Sequence, residues 1–163
     1  MIRLKKSINR NEHIKKLSRE HHFSLLFCWK IRQGLKMDVA MERIWKYVQY
    51  FWQQHLQPHF LEEENIFFAP IKDRLVQKAI NEHKYIKQQI EDLANYSGNN
   101  ERKSLAKIAD MVYEHVRYEE RDLFPHLERK LSKEQLENIS EQIEKHHPSS
   151  LRDQYEDQFW NTK

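Results

Sequence analysis

Glycine and proline are scarce in this chain, and their scarcity limits the folds that it can adopt. Only two glycines and four prolines occur among 163 residues, whereas hairpins and tight turns depend on these residues. The apolar residues are instead separated by Lys, Glu, Gln and Arg, which favour helices and suit their solvent-facing surfaces. The composition therefore predicts an all-α protein, and the length is that of one domain with a real core.

Four long segments carry apolar residues at alternating steps of three and four, which is the spacing of one helical face. In the first segment, Leu17, His21 and Ser24 share such a face. The predicted helices span about residues 10–35, 39–69, 73–95 and 101–130. Short connections between them predict an up-down-up-down four-helix bundle.

Prolines and polar residues indicate where these helices bend or end. Pro58 lies inside the second helix, where it removes a backbone hydrogen bond and crowds the preceding turn. A kink is therefore predicted just before His59. Gly34 and residues 36–38 are predicted to form the first turn, and residues 97–100 form the clearest loop.

The chain continues beyond the bundle with a shorter helix. Ser132 is suited to cap the start of a fifth helix that extends to about residue 146. Phe159 and Trp160 follow in an aromatic tail, which is expected to pack back on the bundle. The predicted parts of this single domain are the bundle, residues 10–130, and the C-terminal helix and tail, residues 131–163.

One short pattern occurs twice in the chain, a histidine followed one helical turn later by a glutamate. The two copies are His59 with Glu63 and His115 with Glu119. Residues four apart on a helix point the same way. Each copy therefore presents one imidazole and one carboxylate together.

His21 and His83 lie on the inner faces of the two remaining helices. Four imidazoles and two carboxylates from four helices predict a pair of metal ions, since bundle cores hold di-iron and di-manganese carboxylate sites. A nitrogen and oxygen donor set without thiolate favours Fe, Mn or Zn. Without cations, two ionised glutamates in an apolar core would cost several kcal/mol each.

Several neighbouring residues are open alternatives. His22 adjoins His21 on a more mixed face, and Glu120 would replace Glu119 if the helix were rotated. His55 lies one turn before the second-helix histidine and is expected to support the site rather than bind the ion. The acidic residues otherwise expected to be solvated are Glu62, Glu64 and Glu120.

Charge and hydropathy argue against several classes of partner. The net charge is only +3 and no basic stripe stands out, so no nucleic-acid partner is expected. The longest apolar run, residues 25–29, is far shorter than the about 20 residues that span a bilayer, so no membrane partner is expected. A single cysteine, Cys28, excludes an internal disulfide and fits a reducing cytoplasm.

Over about residues 13–130 the sequence resembles the hemerythrin-like, or HHE cation-binding, family. The matching stretches are Glu20 to Leu25, His55 to Glu64, Glu82 with His83, His115 to Glu120, and Leu123 to Pro125. The resemblance implies a four-helix bundle around a non-haem di-iron centre in which two glutamates bridge the ions. The implied ligands are His21, His59, Glu63, His83, His115 and Glu119.

The chain departs from the oxygen-carrying hemerythrins at two positions. Lys87 stands where those proteins have a second helix-three histidine. Glu119 follows His115 by four residues, where they have an aspartate five residues on. The donor set instead resembles the four-histidine, two-glutamate members found among bacterial iron and nitrosative-stress proteins. The missing histidine opens a coordination position or leaves it to water.

These features lead to three functional hypotheses. The first is a di-iron protein that binds or senses O2, NO or peroxide, or that handles iron. The second is an oxidase or peroxidase that uses the same centre, although the sequence shows neither a redox-partner motif nor a nucleotide-binding loop. The third is a structural helical module or interaction domain that holds zinc or no metal.

Overall fold

The computed structural model describes residues 10–95, 101–146 and 153–161, and these residues form helices joined by short connections. The predicted all-α class is confirmed, and the described ranges contain no strand. The helices are α1 Lys15–Lys36, α2 Met41–Phe51, α3 Gln57–Glu62, α4 Arg74–Ala94, α5 Glu101–Tyr118, α6 Phe124–Lys130 and α7 Lys133–His146. The loop predicted at residues 97–100 lies outside the described residues.

Three π turns join helices into longer rods. They are Trp52–Leu56 between α2 and α3, Glu63–Phe67 after α3, and Glu119–Leu123 between α5 and α6. A short 3-10 turn, Glu12–Ile14, precedes α1. Residues 41–67 and 101–130 are therefore continuous helical rods whose backbone hydrogen bonds change register locally.

In two of these π turns, one residue separates the end of the turn from a proline. The N–H of Gln57 donates to the carbonyl of Trp52, and the N–H of Phe124 donates to that of Glu119, each spanning five residues. Pro58 and Pro125 follow at once. Since a proline donates no hydrogen bond and its ring crowds the carbonyl four residues back, the widened turn relieves the clash. The π turn lies where the sequence predicts a kink before His59, and a bend of the helix axis there stays a prediction.

Side chains cap the starts of two helices, α4 and α7. Asp73 accepts a hydrogen bond from the N–H of Val76 at the start of α4, at 3.0 Å. Ser132 accepts from the N–H of Gln135, whose side chain accepts in return from the N–H of Ser132. This reciprocal pair is a capping box, and it confirms the predicted start of the fifth helix.

The apolar side chains form two core clusters on opposite sides of a polar layer. The first core cluster includes Phe27, Tyr47, Phe51, Ile86 and Val112. The second core cluster includes Leu17, Phe67, Ala79, Leu127 and Ile139. Burial of each large side chain contributes about 1.5–3 kcal/mol, so the two clusters stabilise the rods from both ends.

The rods cross these clusters in alternating order. α1 and α4 run from the second core cluster to the first, whereas residues 41–67 and 101–130 run from the first to the second. The predicted histidines and glutamates lie at the boundary in all four rods. α1 and α4 both pack against α5.

The C-terminal residues 153–161 pack against α1 and α2. Phe159 and Trp160 are buried in the first core cluster. Asp153 accepts hydrogen bonds from the Tyr47 hydroxyl, at 2.5 Å, and from the Lys30 ammonium, at 2.8 Å. The same ammonium lies 4.1 Å from the centroid of the Trp160 ring. Charge and aromatic contacts therefore hold this segment in place.

The first turn lies in the predicted residues 36–38, but the predicted part at Gly34 is wrong. Gly34 lies inside α1, which continues to Lys36, and the left-handed residue is Asp38, with φ 56°. The glycine is instead a packing position. A Cβ at Gly34 would lie 2.7 Å from Phe159 Cε2 and 3.1 Å from Ile44 Cδ1.

We expect Gly34→Ala to destabilise the protein by about 1 kcal/mol. Overpacking costs about 1–3 kcal/mol, and the gain in helix propensity of about 1 kcal/mol offsets only part of it. Urea unfolding of the purified chain measures the difference. The control is Lys36→Ala on the exposed side of the same helix, which should change stability by less than about 0.5 kcal/mol. A stabilising Gly34→Ala would contradict the packing argument.

None of the helices in the described parts of the chain combines the length and the apolar character that crossing a membrane requires.

Candidate metal centre

Six side chains lie together in the polar layer, and each is at most 3% exposed. They are the predicted residues His21, His59, Glu63, His83, His115 and Glu119. They form two overlapping groups, and the donor atoms of each group lie within 4.8 Å of one another. One group contains His21 and His59, the other contains His83 and His115, and both contain Glu63 and Glu119. We call Glu63 and Glu119 the shared glutamates.

The structure distinguishes the two adjacent histidines of α1. His21 is 2% exposed and lies in the cluster, whereas His22 is exposed. Glu119 likewise lies in the cluster, so the inner-face assignments hold. That these six residues bind metal stays a prediction.

The two copies of the His–Glu pattern share a backbone conformation. Each shared glutamate begins a π turn, and its carbonyl accepts from the residue five positions on. For Glu63 the donor is the N–H of Phe68, at 2.7 Å, and for Glu119 it is the N–H of Phe124. π turns inside helices occur frequently at functional sites. The internal repeat therefore extends from residue spacing to hydrogen bonding.

The imidazole Nε2 atoms face the shared glutamates. His21 Nε2 lies 3.4 Å from Glu119 Oε2 and 3.6 Å from Glu63 Oε2. His83 Nε2 lies 3.3 Å from Glu119 Oε1 and 3.4 Å from Glu63 Oε1. Two further contacts join residues of one rod, His59 Nε2 to Glu63 Oε1 at 3.2 Å and His115 Nε2 to Glu119 Oε1. Both shared carboxylates thus lie between the two histidine pairs.

Each of the four histidines contacts a second carboxylate through its other ring nitrogen, Nδ1. The pairs are His21 with Glu120 (2.6 Å), His59 with Glu20 (2.5 Å), His83 with Glu64 (2.8 Å) and His115 with Glu82 (2.9 Å). We call Glu20, Glu64, Glu82 and Glu120 the outer glutamates. A carboxylate on Nδ1 fixes the ring orientation and the tautomer of a metal-binding histidine. In the neutral ring it leaves the Nε2 lone pair directed at the centre.

The outer glutamates connect the rods in a closed circle. The outer glutamate of α1 contacts the histidine of α3, and the one that follows α3 contacts the histidine of α4. The outer glutamate of α4 contacts the histidine of α5, and the one that follows α5 contacts the histidine of α1. Each rod therefore supports the histidine of the next.

Sequence reasoning missed the outer glutamates. The expectation that Glu120 is solvated is wrong, because it is only 16% exposed, and Glu64 keeps partial exposure; each contacts a buried imidazole, which was not expected. Every outer glutamate is adjacent in sequence to one of the six predicted ligands. Neighbouring positions on a helix point about 100° apart, so a side chain next to an inward ligand is directed toward an adjacent helix. This adjacency is the signal that would have identified them.

Aromatic rings cover the faces of two histidines. Phe60 stacks on His83, with ring centroids 3.8 Å apart and planes 9° from parallel. Phe124 lies 4.9 Å from His21. A ring held at its edge by a carboxylate and on its face by an aromatic side chain has little freedom to rotate. The site is therefore preorganised.

The structure bears on two other predictions for polar residues, those for His55 and Glu62. His55 contacts the Tyr50 hydroxyl at 3.5 Å and the Phe51 ring rather than the cluster. Burial lowers the pKa of His55, more than the nearby carboxylates raise it. Glu62 is 5% exposed, so the expectation that it is solvated is wrong. His126 contacts the capping residue Asp73 at 2.7 Å, at the end of the bundle.

The donor atoms fit cations. Among the described residues, several buried atoms of the cluster have no hydrogen-bond partner. They are Nε2 of His21, His59 and His115, both carboxylate oxygens of Glu63, and Oε2 of Glu119. Buried polar atoms are normally paired, and two carboxylates with four imidazoles form a donor set typical of Fe, Mn or Zn. Two cations that share Glu63 and Glu119 would complete all these groups.

The cluster and its helices define a helical protein with a candidate cation site of nitrogen and oxygen donors. A comparison with protein-family models matches residues 13–127 to the hemerythrin HHE cation-binding domain. The chain therefore belongs to the hemerythrin HHE cation-binding family, as the sequence resemblance predicted. The same comparisons gave no match among curated proteins and none among solved structures.

Without metal, the cluster holds protons. Burial lowers the pKa of His59, but the charge of Glu63 and the contact with Glu20 outweigh it and raise this pKa to about 9. The pKa values of the other three histidines are raised in the same way, against burial, by neighbouring glutamates. Burial raises the pKa of Glu119, yet the charge of His115 and contacts with its neighbours lower it well below its usual range. The carboxylates of the cluster therefore favour protonated imidazoles when no cation lies between them.

We expect the metal-free protein to lose stability as the pH rises from 6.5 to 9. A histidine whose pKa is raised by folding stabilises the folded state below its unfolded pKa of about 6.5, and this contribution disappears through the folded pKa. The loss from His59 alone is on the order of 3 kcal/mol. Urea unfolding of chelator-treated protein at several pH values measures it.

A metal-loaded sample is the matched control. Metal binding needs deprotonated imidazoles and releases protons, so the loaded protein should keep its stability over the same pH range. Equal pH dependence in the two samples would contradict the protonated cluster.

Proposed function

We propose that this protein holds two iron ions in the polar layer and binds a small molecule such as O2, NO or peroxide there. The observation that carries the proposal is the pair of four-residue groups that share Glu63 and Glu119. Each ion would receive two imidazole nitrogens and oxygens of both shared glutamates. Four protein donors leave positions on an iron ion for an exogenous ligand.

The proposed architecture is an up-down-up-down four-helix bundle. Its support is the alternating order in which α1, residues 41–67, α4 and residues 101–130 cross the two core clusters. In this arrangement two rods supply a histidine each, and the other two supply the repeated His–Glu pairs. Di-iron carboxylate bundles divide their ligands similarly, with one Glu from each of two helices and a Glu-x-x-His motif from each of the others.

Different residues would hold the ions and orient the histidine rings that bind them. The four Nε2 atoms and the shared carboxylates would hold the ions, and the outer glutamates orient the rings through Nδ1. Bound iron would supply reversible electron transfer and affinity for diatomic ligands. The six residues of the centre are at most 3% exposed, which favours a small gaseous ligand over a bulky organic substrate.

Two further sequence features bear on the cellular compartment and on the class of partner. Cys28 is buried, and as the only cysteine of the chain it is consistent with a reducing cytoplasm. The modest net charge supports a small-molecule partner rather than nucleic acid.

We expect the purified chain to bind about two iron ions, and His59→Ala or His115→Ala to bind one ion or none. Each substitution removes one Nε2 donor from a different group. Anaerobic loading with Fe(II), removal of excess metal and elemental analysis give the stoichiometry. His55→Ala is the control, because His55 lies one turn from His59 and contacts Tyr50 instead. Equal metal content in all variants would contradict the assigned donors, and retention of zinc alone would favour a structural module.

Exposure of the Fe(II)-loaded protein to O2 or NO should change its visible absorption spectrum. An exogenous ligand on iron alters the electronic transitions of the centre, so the change should be stoichiometric with the ions. The His115→Ala variant should show less of the change. A loaded sample whose spectrum stays constant under both gases would contradict gas binding. Multiple turnovers with an added reductant would instead identify an oxidase or peroxidase.

A further inference from the structure

The four links between histidines and outer glutamates are not equal. Glu120, which supports His21, is held on both carboxylate oxygens. Its Oε1 accepts from the Ser18 hydroxyl at 2.7 Å and contacts His21 Nδ1 at 2.6 Å. Its Oε2 accepts from Arg10 Nε at 3.1 Å and from Nη2 at 2.9 Å. This outer glutamate is only 16% exposed.

Arg10 is the main anchor of this link. Its side chain is 5% exposed and also donates to the main-chain carbonyl of Glu120 and to Glu128. The guanidinium carbon lies 5.8 Å from the centroid of Phe124, the ring that lies against His21. Since a buried arginine pairs strongly only while its carboxylate partner stays in place, His21 cannot rotate away without disrupting this network.

The two outer glutamates that support His83 and His115 are more exposed to solvent. Glu64 is 29% exposed and lines a surface cavity of about 510 Å³, together with Phe68 and Val76. Glu82 is 31% exposed and lines two cavities, of about 510 and 270 Å³, together with Tyr85. Water can therefore reach the carboxylates that support His83 and His115.

We propose that the two cation positions are inequivalent: the position at His83 and His115 exchanges its ion with solvent, whereas the position at His21 and His59 retains its ion. An ion would leave when a histidine ring rotates off it, which would break the Nδ1 contact behind the ring. At the His21 and His59 position, Arg10 holds Glu120, and Glu20 is 20% exposed. At the other position both carboxylates are more exposed and lie at surface cavities, so their contacts yield more easily. The inference rests on the proposed function, since it requires both positions to bind iron.

The test is the release of iron from the Fe(II)-loaded full-length protein to an excess of a chromogenic Fe(II) chelator under anaerobic conditions. We expect two phases of about one ion each, with rates at least about tenfold apart. Arg10→Met should accelerate the slow phase by about 10–100-fold, the usual effect of removing support behind a ligand, and leave the fast phase unchanged. Glu82→Gln should accelerate the fast phase and leave the slow phase unchanged.

Arg43→Met is the matched control, because Arg43 pairs with Asp157 in an exposed ion pair away from the centre. It should change neither phase. Ser18→Ala removes one hydrogen bond from Glu120 and should accelerate the slow phase by less than Arg10→Met does. It provides the readout if circular dichroism shows that the Arg10 variant does not fold.

The outcomes separate the two proposals. Fewer than two ions in the loaded wild-type protein would overturn the proposed function. Two ions that leave in a single phase would overturn the inequivalence alone. The inequivalence would also be overturned if Arg10→Met or Ser18→Ala accelerated the fast phase. It would likewise be overturned if both variants folded and changed neither phase.

Discussion

Two carboxylates without solvent contact determine how this protein is built. Glu63 and Glu119 are 0% exposed and adjoin each other between the two core clusters. Like charges in an apolar interior are costly unless positive partners compensate them. Every other feature of the polar layer, from the four inward imidazoles to the π turns that begin at both glutamates, serves this requirement.

Either protons on the imidazoles or bound cations can compensate the charge of the shared glutamates, and the two compete for the same Nε2 atoms. Protons on the imidazoles balance the shared glutamates when metal is absent, which is why the pKa values of all four histidines are raised against the effect of burial. Cations would displace those protons at Nε2 and leave the Nδ1 contacts in place. The outer glutamates and the neighbouring phenylalanines contact the rings from outside the centre, so these contacts do not depend on what lies between the rings.

The sequence was sufficient for the helical class and for the six central residues, because periodicity reports which face of a helix is buried. It placed His21 rather than His22 in the cluster for this reason. It failed for Glu64 and Glu120, since a charged residue beside an inward ligand has the same periodicity as a solvated one. It also failed at Gly34, where the packed Phe159 lies more than 100 residues away in sequence. Contacts of that kind leave no local pattern.

Each outer glutamate contacts the next rod in the same rotational direction around the centre, and the sequence positions of these glutamates explain this direction. In α1 and α4 the outer glutamate precedes the histidine by one residue, whereas in the other two rods it follows the shared glutamate by one. Helices that cross the core in opposite senses turn these two offsets to the same rotational side. The same rods placed around the centre in the opposite rotational order would direct these glutamates away from their Nδ1 partners. The one-residue offset therefore favours the observed order of the rods over its reverse.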